Sequence, residues 1–253
     1  MALTIVVLVK QVPDMNAVRV DRATGKPILS GQNVISSFDE YAIEEALRLK
    51  EQYGGEVVVL TAGPPSVKDV VSRALAMGAD RGVIVPLADQ NALDTLALAE
   101  VIAGQLKAMT FDVVLTGQIS DDYATGQVGS QVAELLGIPQ VGSITRVEAN
   151  GDTLTVGRDT EDGRQTIEVR TPVLLMAQAG LNEPRYPSLK GIMAAKKKPV
   201  DQVPPASVNP GDRISWGEPF VPERAATGTI LQDVPAADAA RQLVGWLREQ
   251  KLI

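Results

Sequence analysis

The stretch FDVVLTGQISDDYATGQVGSQVAELLGIPQVGSI, residues 111–144, decides the fold. It opens on an apolar run, FDVVLTG (111–117), and turns through a glycine-containing loop. A helix follows near Gly126 to Leu136, and the chain becomes apolar again from Ile138 to Ile144. An apolar run without alternation marks a strand buried on both faces, and strand, helix, strand in that order make a parallel crossover unit. The same grammar extends toward the N-terminus, where LTIVVLV (3–9), EVVVLTA (56–62) and RGVIVPL (81–87) read as further buried strands. Between them, Ser37 with Glu40 forms a capping-box pattern ahead of a helix over Tyr41 to Gln52. Pro65 and Ser66 open a second helix to Met77, and Ala92 to Met109 make a third. Repeated β-α units predict an α/β protein with a doubly wound parallel sheet.

After Ser143 the pattern changes. Asn150-Gly151 and Asp162-Gly163 each stand between alternating runs and predict two antiparallel turns, after which PVLLMAQ (172–178) can return to the sheet. Pro204 to Pro235 is rich in Pro, Gly and polar residues without a sustained period, and Ala236 to Gln250 closes the chain as an amphipathic helix with Leu243, Trp246 and Leu247 on one face. A structureless stretch of that length is uncommon inside a compact body, so the expected division is a domain over 1–203 and an arm over 204–253 that lies on a partner.

Composition removes whole classes of chemistry. The 253 residues include no Cys and no His, which excludes disulfides, the usual zinc ligand sets, cysteine nucleophiles and serine–histidine–aspartate triads. A net charge of −7 argues against nucleic-acid binding. The apolar run Leu3 to Val9 is too short to span a bilayer and lacks the flanks of a signal peptide, so the expectation is a soluble cytoplasmic protein without membrane insertion.

Two segments carry candidate function. In LTGQISDDYATGQVGSQVAELLGIP (115–139), Gly117, Gly126 and Gly129 allow close backbone approach at a strand end, and the N–H groups around Ala124 to Val128 would face an anion at a helix N-terminus. The spacing is neither GxGxxG nor GxxxxGK[ST], so a phosphate cradle and a plain strand-to-helix turn both remain open. Asp121 and Asp122 have the residue types for metal or acid–base work, although loop carboxylates more often serve turns and caps. In LNEPRYPSLKGIMAAKKKP (181–199), Leu189, Ile192 and Met193 form one stripe of a short helix that can begin at Ser188. Arg185, Lys190, Lys196, Lys197 and Lys198 make this stretch basic in an acidic chain, which suits either a solvated cap or a docking element.

Together VKQVPD (9–14), FDEYAIEEALRLKE (38–51), ALAMGADR (74–81), the Gly117 to Gly129 loop with AELLGIPQ (133–140) and LNEPRYPSLKGIMAAKKKP resemble the β subunits of electron transfer flavoproteins, in family order and over nearly the whole chain. The resemblance implies a Rossmann-like domain of the adenine-nucleotide alpha-hydrolase type and a C-terminal extension packed on an α subunit. It implies FAD held mostly by that α subunit and AMP buried in this one, or a second FAD here if the protein is of the bifurcating kind. By motif position the nucleotide would touch Leu8, Ser36, Ser37, Phe38, Asp39 and Ala62. The loop Gly117, Gln118, Ile119, Ser120, Asp121, Asp122, Tyr123, Ala124, Thr125, Gly126, Gln127 and Val128 would complete the site, with Phe38 nearest the flavin. Leu189, backed by Ile192, Met193, Lys196 and Lys197, would dock flavin dehydrogenases such as acyl-CoA dehydrogenases, and a quinone oxidoreductase or other acceptor would take the electrons. This would make the chain an electron carrier rather than an enzyme.

Three positions depart from the family pattern. Ala124 replaces an acidic loop residue, which leaves AMP against FAD open; Met15 replaces an aromatic, and Ala194 the first lysine of a KAKKK pattern. A nucleotide-hydrolysing relative would carry SGGxDS after its first strand, where VKQVPD stands, and an ATP-binding stress protein would need a glycine pattern that Gly126 and Gly129 do not supply.

Overall fold

The computed structural model describes residues 2–29, 31–205, 214, 217, 220–222 and 228–253. In chain order its strands and helices begin with β1 (Leu3–Leu8), β2 (Gln11–Pro13), β3 (Arg19–Val20), β4 (Pro27–Ile28), β5 (Asn33–Ile35) and α1 (Ser37–Tyr53). Next come β6 (Gly55–Gly63), α2 (Lys68–Met77), β7 (Arg81–Pro86), α3 (Thr95–Leu106), β8 (Val113–Gly117) and α4 (Val128–Leu136). The chain continues through β9 (Gln140–Asn150), β10 (Thr153–Thr160), β11 (Gly163–Arg170), β12 (Val173–Ala177), α5 (Leu189–Ala195), β13 (Val200–Gln202) and α6 (Ala236–Glu249).

Nine strands form one sheet in the order β11-β10-β9-β12-β8-β1-β6-β7-β13. The stretch from β9 to β13 is parallel throughout, while β9-β10-β11 is an antiparallel meander turning at Gly151 and Gly163, both with positive φ. This is the doubly wound α/β sheet that the β-α repetition predicts. Consecutive strand residues serve opposite faces: Ile5 and Val7 join the core that contains residues of α1 and α2, whereas Val6 and Leu8 join the core with residues of α3 and α4. Each fully buried Leu or Ile contributes about 1.5–3 kcal/mol. Two such half-cores on either side of nearly fully apolar strands explain why these runs show no alternation.

Several boundaries differ from expectation for local reasons. The segment expected over Ile138 to Ile144 is the start of an eleven-residue strand, β9, which pairs parallel with β12 and then antiparallel with β10. Ser143, with φ 56°, lies near the point where it changes partner. Val200–Gln202 add an edge strand on β7, and two small antiparallel ribbons, β2-β5 and β3-β4, fill Gln11 to Ile35; none of these has a distinct sequence signal. The expected capping box does not form. Ser37 is the first residue of α1, Ser36 occupies the N-cap position without a side-chain cap bond, and Glu40 pairs with Arg73 at 3.0 Å.

The chain divides into two units, Met1–Pro219 and Phe220–Ile253. The first holds the sheets and α1 to α5. The second holds α6, whose Leu243, Val244 and Trp246 are exposed. Much of the arm expected over Pro204 to Pro235 lies outside the described residues. Among the described residues no helix is long and apolar enough to cross a membrane.

The pairing of β1 with β6 depends on Gly55. It has φ 119°, and a Cβ there would stand 1.9 Å from the Leu3 carbonyl oxygen, a backbone atom that cannot swing away. Gly55→Ala should lower stability by at least about 2 kcal/mol in denaturant titrations, and an unchanged midpoint would show that the β1–β6 edge tolerates a shift.

Candidate functional site: the cleft at the strand ends and the helix on α2

The strand order reverses at β1, whose neighbours β6 and β8 lead the chain away in opposite directions. In an open α/β sheet such a reversal leaves a crevice beyond the carboxyl ends of the strands. The crevice here is open to solvent at its mouth. Leu8 at the end of β1, Ala62 in β6 and Gly117 at the end of β8 line it, with Asp39 from α1 and Gln118, Ile119, Ser120, Tyr123, Thr125, Gly126, Gln127 and Val128 from the following loop. Ser36, Ser37, Phe38, Asp121, Asp122 and Ala124, expected from the sequence to touch a nucleotide, are not in the lining.

Their contacts explain why. Asp121 accepts the Ser37 N–H and the Ser37 hydroxyl, both at 2.7 Å, and so caps α1 from a loop 84 residues away. This tertiary carboxylate takes the place of the local capping box, because it satisfies the first-turn donor of the helix without help from Glu40. Asp122 pairs with Lys10 Nζ at 2.7 Å, and Lys10 also lies 4.8 Å from the Tyr123 ring centroid. Both carboxylates therefore act as cap and strut. Phe38 lies against Gly117, where a Cβ would approach the Phe38 Cβ to 2.6 Å.

Asp39 is the hinge of the site. One carboxylate oxygen accepts the Lys10 N–H at 2.8 Å and the other the Gly117 N–H at 2.9 Å, which ties the ends of β1 and β8 to α1. Burial pushes its carboxyl up to about 7, against the pull of those two amides.

The lining includes Gly129 of α4, expected to allow close backbone approach, and groups that sequence reasoning missed: Val9, Lys10, Leu60, Thr61 and Thr116 near the strand ends, and Asn91, Leu93, Thr95, Leu98 and Ile102 before and within α3. The β-α rule was the available signal for the second group, since the start of α3 must lie at the carboxyl edge. Two features fit a polar, anionic ligand. Thr61 is 2% exposed and its hydroxyl has no partner among the described residues. The first turn of α4 receives no side-chain cap from Gln127, and Ala124 and Gly126, both at positive φ, shape the loop that leads into it.

The basic segment folds elsewhere, on α2. Ser188 caps α5 by accepting the Gly191 N–H at 3.0 Å, as the sequence suggested, and Leu189 is 84% exposed beside exposed Ile192 and Met193. Not all of its cations face solvent. Arg185 grips Glu44 through Nε at 2.8 Å and Nη2 at 2.9 Å and also binds Glu51, while Lys198 donates to the Leu75 and Ala79 carbonyls at 2.9 and 2.6 Å. The outward field therefore comes from Lys190, Lys196 and Lys197, since carboxylates engage Arg185 and the end of α2 takes Lys198. Asn182 donates to the Tyr41 carbonyl and to Glu45, both at 3.0 Å, and fixes the base of the segment on α1.

Residues 28–208 match the model of the electron transfer flavoprotein domain. The chain belongs to this family, as a β subunit. It is 39% identical to the electron transfer flavoprotein subunit beta of Clostridium acetobutylicum, with 99% of this chain and all of the relative covered. It is 44% identical to that of Thermoanaerobacterium thermosaccharolyticum over 78% of this chain and 76% of the relative. It is also 34% identical to the CarD subunit of the caffeyl-CoA reductase-Etf complex of Acetobacterium woodii, over 98% and 99%. Electron transfer flavoprotein β subunits are electron-transfer proteins, and the absence of Cys and His from this one fits a role in which side chains position groups rather than react.

Asp39 makes the stability of this β subunit pH-dependent. Its carboxyl lies above the ordinary 3.8 when folded, so the fold favours the protonated form. That contribution is complete below about pH 4 and is lost as pH rises through 7. Between pH 5 and 7 the protein should lose about 1 kcal/mol per pH unit relative to Asp39→Asn in denaturation midpoints. A difference that stays flat or grows with pH would show that the two amides, not burial, control the group.

Proposed function

We propose that this chain is the β half of a heterodimeric electron transfer flavoprotein that carries electrons from flavin dehydrogenases to a quinone oxidoreductase or another acceptor. The observation that carries this reading is the separation of two features on one scaffold. A cleft opens at the carboxyl edge of the sheet, and an exposed apolar helix, α5, rests near the end of α2 that leads into the amino end of β7. The flavin, held mostly by an α subunit, supplies one- and two-electron transfer. The residues of this chain bind and orient. In the cleft, apolar Leu8, Leu60, Leu93 and Leu98 offer a surface for a base, while Thr61 and the uncapped turn of α4 offer polar partners for the ribose and phosphate of AMP. On α5, Leu189 is the anchor that enters a dehydrogenase, and Lys190, Lys196 and Lys197 speed the encounter. The region from 204 to the C-terminus, including exposed Leu243 and Trp246 of α6, is the surface that packs on the α subunit. The protein would act in the cytoplasm.

Acid extraction of the purified heterodimer should release one FAD and one AMP. Two FAD and no AMP would replace the AMP assignment with a second flavin in this cleft, as in a bifurcating protein. Leu189→Ala should leave flavin content unchanged and weaken the productive complex with the dehydrogenase by about tenfold or more, read as a higher KM for the flavoprotein. Unaltered transfer kinetics in that variant would remove the docking role of α5.

A further inference from the structure

The cleft lining contains one cationic side chain, Lys10, and one carboxylate, Asp39. Lys10 was not among the expected binding residues. Its backbone belongs to the framework: the N–H goes to Asp39 at 2.8 Å and the carbonyl accepts the Ser36 N–H at 3.1 Å. Its side chain reaches the loop that follows β8, with Nζ 2.7 Å from Asp122 and 3.5 Å from the Ser120 hydroxyl. An ammonium carries three donors, so the Asp122 carboxylate and the marginal Ser120 contact do not exhaust it. The side chain remains 24% exposed, and its Nζ lies 4.8 Å from the Tyr123 ring centroid.

A phosphate entering the cleft meets the amides at the start of α4 but needs a counter-charge, because the carboxylates of Asp39 in the lining and of Asp122 beside Lys10 would otherwise repel it. We propose that Lys10 is the phosphate-binding cation of this cleft and that Asp122 aims it, so that the site selects an adenine nucleotide over its nucleoside. This rests on the reading of the cleft as an adenine-nucleotide site and assigns the group that senses the phosphate. The alternative role for Lys10 is a strut that only holds the loop against β1.

Nucleoside and nucleotide binding separate the two. The α–β heterodimer, stripped of AMP by denaturation and refolded with FAD, is titrated with AMP and with adenosine by calorimetry, for wild type, Lys10→Met, Lys10→Arg and the double variant Lys10→Met with Asp122→Asn. Loss of one charge-assisted hydrogen bond predicts about 10- to 100-fold weaker AMP binding in Lys10→Met, adenosine within about twofold of wild type, and partial recovery of AMP binding in Lys10→Arg. The double variant removes both charges of the pair, so retained adenosine binding there shows that the loop still folds while AMP remains weak. Equal losses for AMP and adenosine in Lys10→Met would make Lys10 a strut and overturn the assignment. AMP binding unaffected by Lys10→Met would overturn it as well, with the cleft reading intact. A wild-type dimer that binds neither compound would overturn the cleft reading and the Lys10 assignment together.

Discussion

Two backbone amides, from Lys10 and Gly117, share one buried carboxylate, and the site is arranged around that contact. β1 and β8 are neighbours in the sheet, yet the chain leaves them in different directions beyond their paired residues. Asp39 supplies a common acceptor from the first turn of α1. Gly117 is required for the same reason: any Cβ there would meet Phe38 and Asp39 at under 3 Å. Burial of this carboxyl against the pull of two amides pushes it up to about 7.

The consequences travel along α1. Its N-terminal turn takes the cap from Asp121 and holds Asp39 at the cleft. The residues farther along, Glu44, Glu45 and Glu51, receive Arg185 and Asn182 from the segment before α5. Seven residues are too few for a helix to persist by its own hydrogen bonds. α5 instead owes its persistence to fixed neighbours: the Arg185 grip on α1, the Lys198 contacts with the end of α2, and Gly191, which lies so close to the Ala76 carbonyl that a Cβ would stand 2.3 Å from its oxygen. A leucine exposed on a helix held in this way has less freedom to lose in any contact it makes.

The parts of this design that were legible in the sequence are those set by local pattern. Unbroken apolar runs gave the parallel strands, Asn150-Gly151 and Asp162-Gly163 gave the meander, and Ser188 with its apolar stripe gave α5. Partners chosen across the fold were not legible. Ser37 and Glu40 have the spacing of a capping box, but a carboxylate from residue 121 outcompetes it, and no window of sequence contains both. Lys10 reads as the polar end of a strand until the β8 loop arrives beside it. The lysine run shows the same limit, because three adjacent Lys residues look equivalent in sequence while one of them, Lys198, turns inward to backbone carbonyls.

This difference between pattern and partner also bears on how the two features came to share a scaffold. The cleft is fixed by contacts at the carboxyl edge of the sheet and α5 by contacts with α1 and α2, so the side chains that line the cleft and those exposed on α5 do not overlap. Alterations at Leu189, Ile192 or Met193 leave the Asp39 contact untouched, and alterations at Thr61 or Lys10 leave the Arg185 grip untouched. α1 is the one element common to both, and its buried residues are therefore the least free to vary: Asp39 in its first turn, Glu44 and Glu45 at its middle, and Ala42, Ile43 and Ala46 fully buried beside them. The exposed stripe of α5 is thus free to vary without disturbing the cleft, whereas the cleft walls include Asp39 and Gly117, whose contact also ties β1 and β8 to α1.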